Sequence, residues 1–226
     1  MTMVTPRPLR ADAERNRRRI LDAAREVFAR DGLDAGVDGI ARAAGVGVGT
    51  VYRRFPTKDE LLVAVIDDTT SALVAELERA GTEADPWDAF AAAAYAMAAT
   101  TARNRTLHQV FQESWIHVPS TRACRERTLE ALGAILDRAQ EAHVVRDDLV
   151  VADVAALCAV AARLPAWRLD VEPDIWMRYL GVVLDGMRPE AATALPHPPP
   201  VEVSASPAVP SGAPAIASPR ARAPRP

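Results

Sequence analysis

Residues 32–62 read GLDAGVDGIARAAGVGVGTVYRRFPTKDELL, and the rest of the chain falls into place around them. The spacing predicts a short helix over 37–44, with Val37, Ile40, Ala41 and Ala44 on one face. Gly45 ends it. Only Gly45-Val46-Gly47 separates it from a second short helix over 48–54, which Pro56 closes. Two short helices joined by a tight glycine-containing turn are the signature of a helix-turn-helix. Thr57-Lys58-Asp59-Glu60 then reads as a capping box: Thr57 accepts from the Glu60 amide, and Glu60 reaches back.

Upstream, a helix is expected from about Ala13 to Arg30, because Ile20, Leu21, Ala24, Val27 and Phe28 share one face. Gly32 sits where a left-handed C-terminal residue belongs. Arg15, Arg17, Arg18 and Arg19 crowd the first half of that helix against its dipole. They form either a solvated charged face or a face near phosphate. Downstream, the capping box opens a long helix to about Arg79, and Asp85-Pro86 opens another to about Ala102. Further helices are expected over 105–117, 120–142, 150–164 and 173–187. No stretch shows sustained period-two alternation, so strands are not needed. The expected fold is all-α, with about nine helices: a three-helix head (12–56) and a helical body (57–188). Residues 1–11 read as a flexible basic arm, and residues 189–226 as a disordered Pro/Ala-rich tail.

Composition agrees with that division. The formal charge of the 226 residues is -3, but residues 1–60 carry +3 and residues 61–188 carry -7. A basic end on an acidic body fits a polyanion-binding head on a body that does not bind DNA. Of the 18 prolines, 11 lie between Pro189 and Pro226. No apolar run approaches the ~18–20 residues that span a bilayer. MTMVTPRPLR lacks the apolar centre of a signal peptide, so a cytoplasmic protein without membrane contact is expected. Cys124 and Cys158 cannot make a disulfide framework and read as small buried hydrophobes. No Cys/His cluster has zinc spacing, and neither a metal nor a cofactor is expected.

The order and spacing of Ile40-Ala41, Ala44-Gly45-Val46, Gly49-Thr50-Val51-Tyr52, Phe55, Lys58 and Leu61 resemble the DNA-binding head of the TetR family of bacterial transcriptional regulators. Phe28-Ala29-Arg30-Asp31-Gly32 before them fits as well. The resemblance implies a ligand-responsive regulator, most simply a repressor that holds a palindromic operator as a homodimer until a small effector releases it. The 48–54 helix is then the recognition helix in the major groove. Gly47, Val48 and Gly49 have minimal side chains there and let the backbone approach DNA, and Val48 suits a thymine methyl. Thr50 suits a base or a phosphate. Tyr52 suits a phosphate, by resemblance. Arg53 or Arg54 meets a guanine edge or a phosphate, and the spacing does not decide which. Lys58, the only lysine, stands in the first turn of the fourth helix, where a phosphate can be gripped. Val51 and Phe55 read as head core.

Two departures from the family pattern stand out. Gly36, followed by Val37-Asp38, replaces the usual hydroxyl at the start of the second helix, and Gly47 replaces the usual serine. Two hydroxyls that cap helices and meet phosphate are therefore missing, with Val37 and Asp38 left at the place of contact. Arg7 and Arg10 of the arm are placed to compensate in the minor groove.

In the body, the resemblance implies a dimer through the last two helices. Independently, VVADVAALCAVAARL (150–164) is almost uncharged and must be buried on several sides. The expected interface residues are Val154, Leu157, Ala161, Trp176, Tyr179, Leu180, Val183 and Leu184. Candidate lining for a largely apolar or aromatic effector is Phe90, Tyr95, Met97, His108, Phe111, Gln112, Trp115 and Cys158. Periodicity alone does not separate such lining from core. An enzyme is the competing class, since His108, Glu113 and His117 lie at helical spacings. No nucleophile elbow, phosphate loop or HExxH accompanies them, so no catalytic residue is expected. A ligand-free DNA-binding protein is the third class, separable by screening for thermal stabilisation.

Overall fold

The computed structural model describes residues 7–104, 119–163, 172 and 174–199. Its described residues form eight α-helices and no strand: α1 (Arg7–Asp31), α2 (Val37–Ala44), α3 (Val48–Arg54), α4 (Lys58–Ala80), α5 (Pro86–Arg103), α6 (Pro119–Glu141), α7 (Val151–Arg163) and α8 (Trp176–Gly186). A 3-10 turn follows at Pro189–Ala191. The helix expected over 105–117 lies outside the described residues.

The first helix begins at Arg7, not near Ala13, so residues 7–11 of the expected arm are helical. Pro8 is no obstacle, because a first-turn proline lacks only an N–H that has no helical partner. The arginine run is tolerated for a related local reason. Asp12 pairs with Arg15, Glu14 lies 3.9 Å from Arg17, and Asp22 lies 2.7 Å from Arg25, all at i,i+3. Such exposed pairs each contribute a few tenths of a kcal/mol.

Glycines punctuate the head as expected. Gly32 has φ +82° and its N–H donates to Phe28 O at 3.0 Å. Gly45 has φ +63°; its N–H donates to Arg42 O at 3.1 Å and that of Val46 to Ala41 O at 3.0 Å, which closes α2 as a Schellman motif. The Arg19 guanidinium also donates to Ala44 O at 2.7 Å, tying α1 to the end of α2. At the start of α5, the Asp85 carboxylate accepts from the Trp87 and Asp88 amides at 2.8 and 3.0 Å.

Two apolar cores result. The head core joins Ile20, Leu21, Val27 and Phe28 of α1 to Ile40, Val51, Phe55, Leu61, Leu62 and Ile66, and it includes Cys124 of α6. The body core gathers Leu73 and Leu77 of α4, Phe90, Ala93, Ala94 and Ala98 of α5, Leu132 and Leu136 of α6, Val154 and Cys158 of α7, and Trp176, Leu180 and Leu184 of α8. The alanines let these helices approach closely. α4 runs through both cores and carries the head on the body. Burial pushes the Cys158 thiol up to about 12 and also raises that of Cys124, as befits small buried hydrophobes.

The body is closed at its end by three contacts. Arg188 stacks on Trp87 with 3.6 Å to the ring centroid. The Arg146 N–H donates to Met187 O at 3.0 Å, and the Arg146 guanidinium donates to Thr193 O. Residues 192–199 are otherwise exposed and without regular structure, while 200–226 lie outside the described residues.

Candidate nucleic-acid interface

α3 sits on the head through Val51, which is fully buried, and Phe55 just beyond it. Its other side faces outward. Gly49, Arg53 and Arg54 are exposed, Tyr52 is 47% exposed, and Val48 and Thr50 are half-buried. Of the two arginines that spacing does not rank, Arg54 lies 3.9 Å from the Glu14 carboxylate of α1.

Both helices of the motif begin on glycine in extended conformation. Gly36 has φ -76° and ψ 148°, Gly47 has φ -70° and ψ 144°, and neither start has a side-chain cap. A Cβ at Gly36, Gly39, Gly47 or Gly49 would meet nothing within 4 Å. The cap residues Gly36 and Gly47, and Gly39 and Gly49 in the first turns of α2 and α3, therefore present backbone with open space before it. A sugar-phosphate chain can approach such a surface closely and meet amide donors rather than side chains.

α4 starts differently. The Thr57 hydroxyl accepts from the Glu60 amide at 3.1 Å and lies 3.4 Å from Glu60 Oε1. The Glu60 carboxylate thus meets the Thr57 hydroxyl instead of its backbone amide. This fixes the first turn of α4, from which Lys58 projects half-buried.

Several expected site residues are placed otherwise. Val37 is 7% exposed and belongs to the head core, because the apolar face of α2 includes its first residue. Asp38 beside it is exposed. Arg7 and Arg10 stand in the first turn of α1 rather than in a free arm. Arg19, read from sequence only as part of a charged face, holds the end of α2. No local pattern announces that contact, since its partner is a backbone carbonyl 25 residues away.

In the body, Phe90 and Cys158 are fully buried in the core, Met97 is half-buried, and Tyr95 is at the edge with its ring 6.3 Å from that of Trp176. His108, Phe111, Gln112 and Trp115 lie outside the described residues, as do Glu113 and His117. Of the expected dimer residues, Val154, Ala161, Trp176, Leu180 and Leu184 pack into the protomer's own core. Leu157 and Val183 are half-buried, and Tyr179 is exposed. The outward apolar side chains of α7 and α8 are Tyr179 and three that the expectation did not include, Val160, Met177 and Val182. No helix among the described residues is long and apolar enough to cross a membrane.

Comparison with known proteins meets this geometry at both ends of the chain. Residues 20–65 match the family of bacterial regulatory proteins called the tetR family. Residues 85–189 match the C-terminal domain of SbtR-like transcriptional regulators. A TetR transcription regulatory protein of Mycobacterium vanbaalenii is similar in structure, with TM-score 0.59 and 35% identity over 80% of this chain and 99% of that one. The HTH-type transcriptional regulator SrpR of Pseudomonas putida is 54% identical over 57 residues, and the HTH-type transcriptional repressor LfrR of Mycolicibacterium smegmatis is 45% identical over 76. Those two matches cover 25% and 34% of this chain but only 27% and 40% of the relatives. The chain belongs to the TetR family of bacterial transcriptional regulators, which are DNA-binding proteins rather than enzymes.

Proposed function

We propose that this protein is a repressor that binds a palindromic operator as a homodimer and leaves it when a small, largely apolar or aromatic effector occupies the body. The observation that carries this reading is the outward face of α3 beside the open glycine positions at the starts of α2 and α3. Arg53 is the better candidate for a guanine edge, since Glu14 draws Arg54 toward α1. Val48 then reads a thymine methyl, while Thr50, Tyr52 and Lys58 lie along the phosphates and the exposed Asp38 carboxylate opposes their approach. Arg7 and Arg10 add two positive charges to the first turn of α1. LfrR, called a repressor, supports repression over activation through its likeness to the head.

The homodimer is supported by the apolar surface of α7 and α8, with Val160 57% and Val182 68% exposed. A two-fold axis through this face presents two recognition helices to half-sites about one DNA turn apart. In this reading the effector lies between α5 and α6. Bound effector must favour a body conformation that misaligns the heads, and it must bind that conformation more tightly.

The test is operator selection from random duplexes with the purified full chain. Enrichment of a palindrome supports the head and the dimer together, and no enrichment at moderate salt refutes the reading. A screen for thermal stabilisation by apolar and aromatic compounds, repeated on the operator complex, tests for the effector.

A further inference from the structure

The head and body cores meet along α4 and α6 in a seam of unusual composition. The four buried polar side chains among the described residues, Thr69, Thr70, Thr121 and Thr128, all belong to these two helices. Two of the hydroxyls turn back on their own helices: Thr69 donates to Val65 O at 2.8 Å, and Thr128 to Cys124 O at 3.0 Å. Hydroxyls bonded to their own backbone neither interdigitate like Leu or Ile nor cross-link the helices. These two hydroxyls therefore add no bond between α4 and α6.

What fixes α4 at this level lies on either side of it. Asp67 and Asp68 are adjacent on α4, so their side chains point about 100° apart around the helix. Arg127 of α6 donates to Asp67 at 2.7 Å, and Cys124 lies 3.6 Å from the same carboxylate oxygen. Arg25 of α1 pairs with Asp68 and, at 2.7 Å, with Asp22 of its own helix. At the far end of α6, the Arg138 guanidinium donates to Gly81 O, Glu83 O and Ala84 O at 2.8–2.9 Å, which anchors the end of α4. Beside the head, the bonds from Arg127 and Cys124 of α6 end on the Asp67 side chain.

We propose that Arg127 and Arg25 are positioning residues that clasp the neighbouring carboxylates Asp67 and Asp68 and thereby set the angle at which the head leaves the body. The operator arm of the test rests on the DNA-binding reading above; the distance arm does not. Arg127 and Asp67 are about half exposed (48% and 53%), so their loss leaves the fold intact and the head free to shift.

Nitroxide labels at Ala43→Cys on α2 and Ala92→Cys on α5, both exposed positions, report the head–body distance within one protomer when labelled chains are diluted into unlabelled ones. The native thiols are buried, and protein lacking the two new cysteines serves as the labelling control. Arg127→Ala is expected to broaden the distance distribution and to weaken the selected operator by up to about fivefold. The exchange Asp67→Arg with Arg127→Asp restores both. Arg122→Ala, which removes an arginine paired among the described residues with Glu126 of the same helix, changes neither. An unchanged distribution in Arg127→Ala, or a broadened one that the exchange does not restore, overturns the proposal. If selection yields no operator, the distance arm still decides it.

Discussion

Glycine at both helix starts of the motif gives the most direct predictions at the scale of single residues. Gly36 and Gly47 have ordinary extended dihedrals and open space where a Cβ would go. Neither needs to be glycine for backbone reasons. Gly36→Ser and Gly47→Ser should each add a capping hydroxyl, raising stability by a few tenths of a kcal/mol. The same hydroxyl faces the approaching phosphates, so each variant should bind the selected operator more tightly than the parent at matched salt. Melting curves and fluorescence anisotropy check the two halves; a rise in stability with weaker DNA binding would show that bare backbone is needed there. Gly45 and Gly32 are the opposite case, since both have φ between +60° and +85°. Alanine in that region costs about 1 kcal/mol. At Gly32 nothing stands within 4 Å of the new Cβ, but at Gly45 it would come 2.8 Å from Arg19 Nη2 and disturb the bond to Ala44 O. Gly45→Ala should therefore cost about 1 kcal/mol more than Gly32→Ala by denaturant titration. The glycines were legible in sequence as turn and cap residues. The arginine that makes one of them dearer was not, because it comes from another helix.

At the scale of elements, caps separate stability from function. Thr57 caps α4 within the head surface, whereas Asp85 caps α5 in the body. Thr57→Ala and Asp85→Ala should each cost about 1 kcal/mol. Only Thr57→Ala should also weaken operator binding, because it loosens the turn that carries Lys58. The buried thiol of α7 adds a pH dependence. Its folded pKa, near 12, is raised above the ordinary 9.0, so the native state favours the neutral thiol. Below pH 9 it has no effect on stability. Above that, the unfolded chain releases a proton that the folded one keeps, and stability falls by up to ~1.4 kcal/mol per pH unit. Cys158→Ala should remove that part of the alkaline loss, and alkylation of native protein at pH 8 should leave Cys158 unmodified. Helix bounds were largely legible, because apolar spacing, Pro86, Gly45 and the Thr57–Glu60 pair are all local signals. The start of α1 was missed because residues 1–11 were read as a flexible basic arm, whereas Pro8 occupies a permitted first-turn position.

At the scale of the whole molecule, the sequence could not tell core from interface. Val154, Ala161, Trp176, Leu180 and Leu184 have the chemistry of an interface, and the protomer buries them itself. An apolar helix offers the same residue types to its own core and to a partner, and only the packing of α5 against α7 and α8 shows which stripe remains outside. That stripe holds Val160 and Val182, which leave most of their side chains to solvent in an isolated protomer. Neither supports the fold from where it stands, so a charge there should leave the protomer folded. Across a two-fold axis the same charge meets its own copy or a desolvated apolar surface, and either costs more than a single apolar contact yields. Val182→Arg should therefore halve the mass seen by light scattering at micromolar concentration, without loss of helical signal. Because each recognition helix reads one half-site, the variant should lose affinity for the full palindrome while keeping the parent's weak affinity for an isolated half-site. A variant that stays dimeric would place the interface elsewhere. A monomer that still holds the palindrome as tightly as the parent would remove the need for a dimer in operator binding.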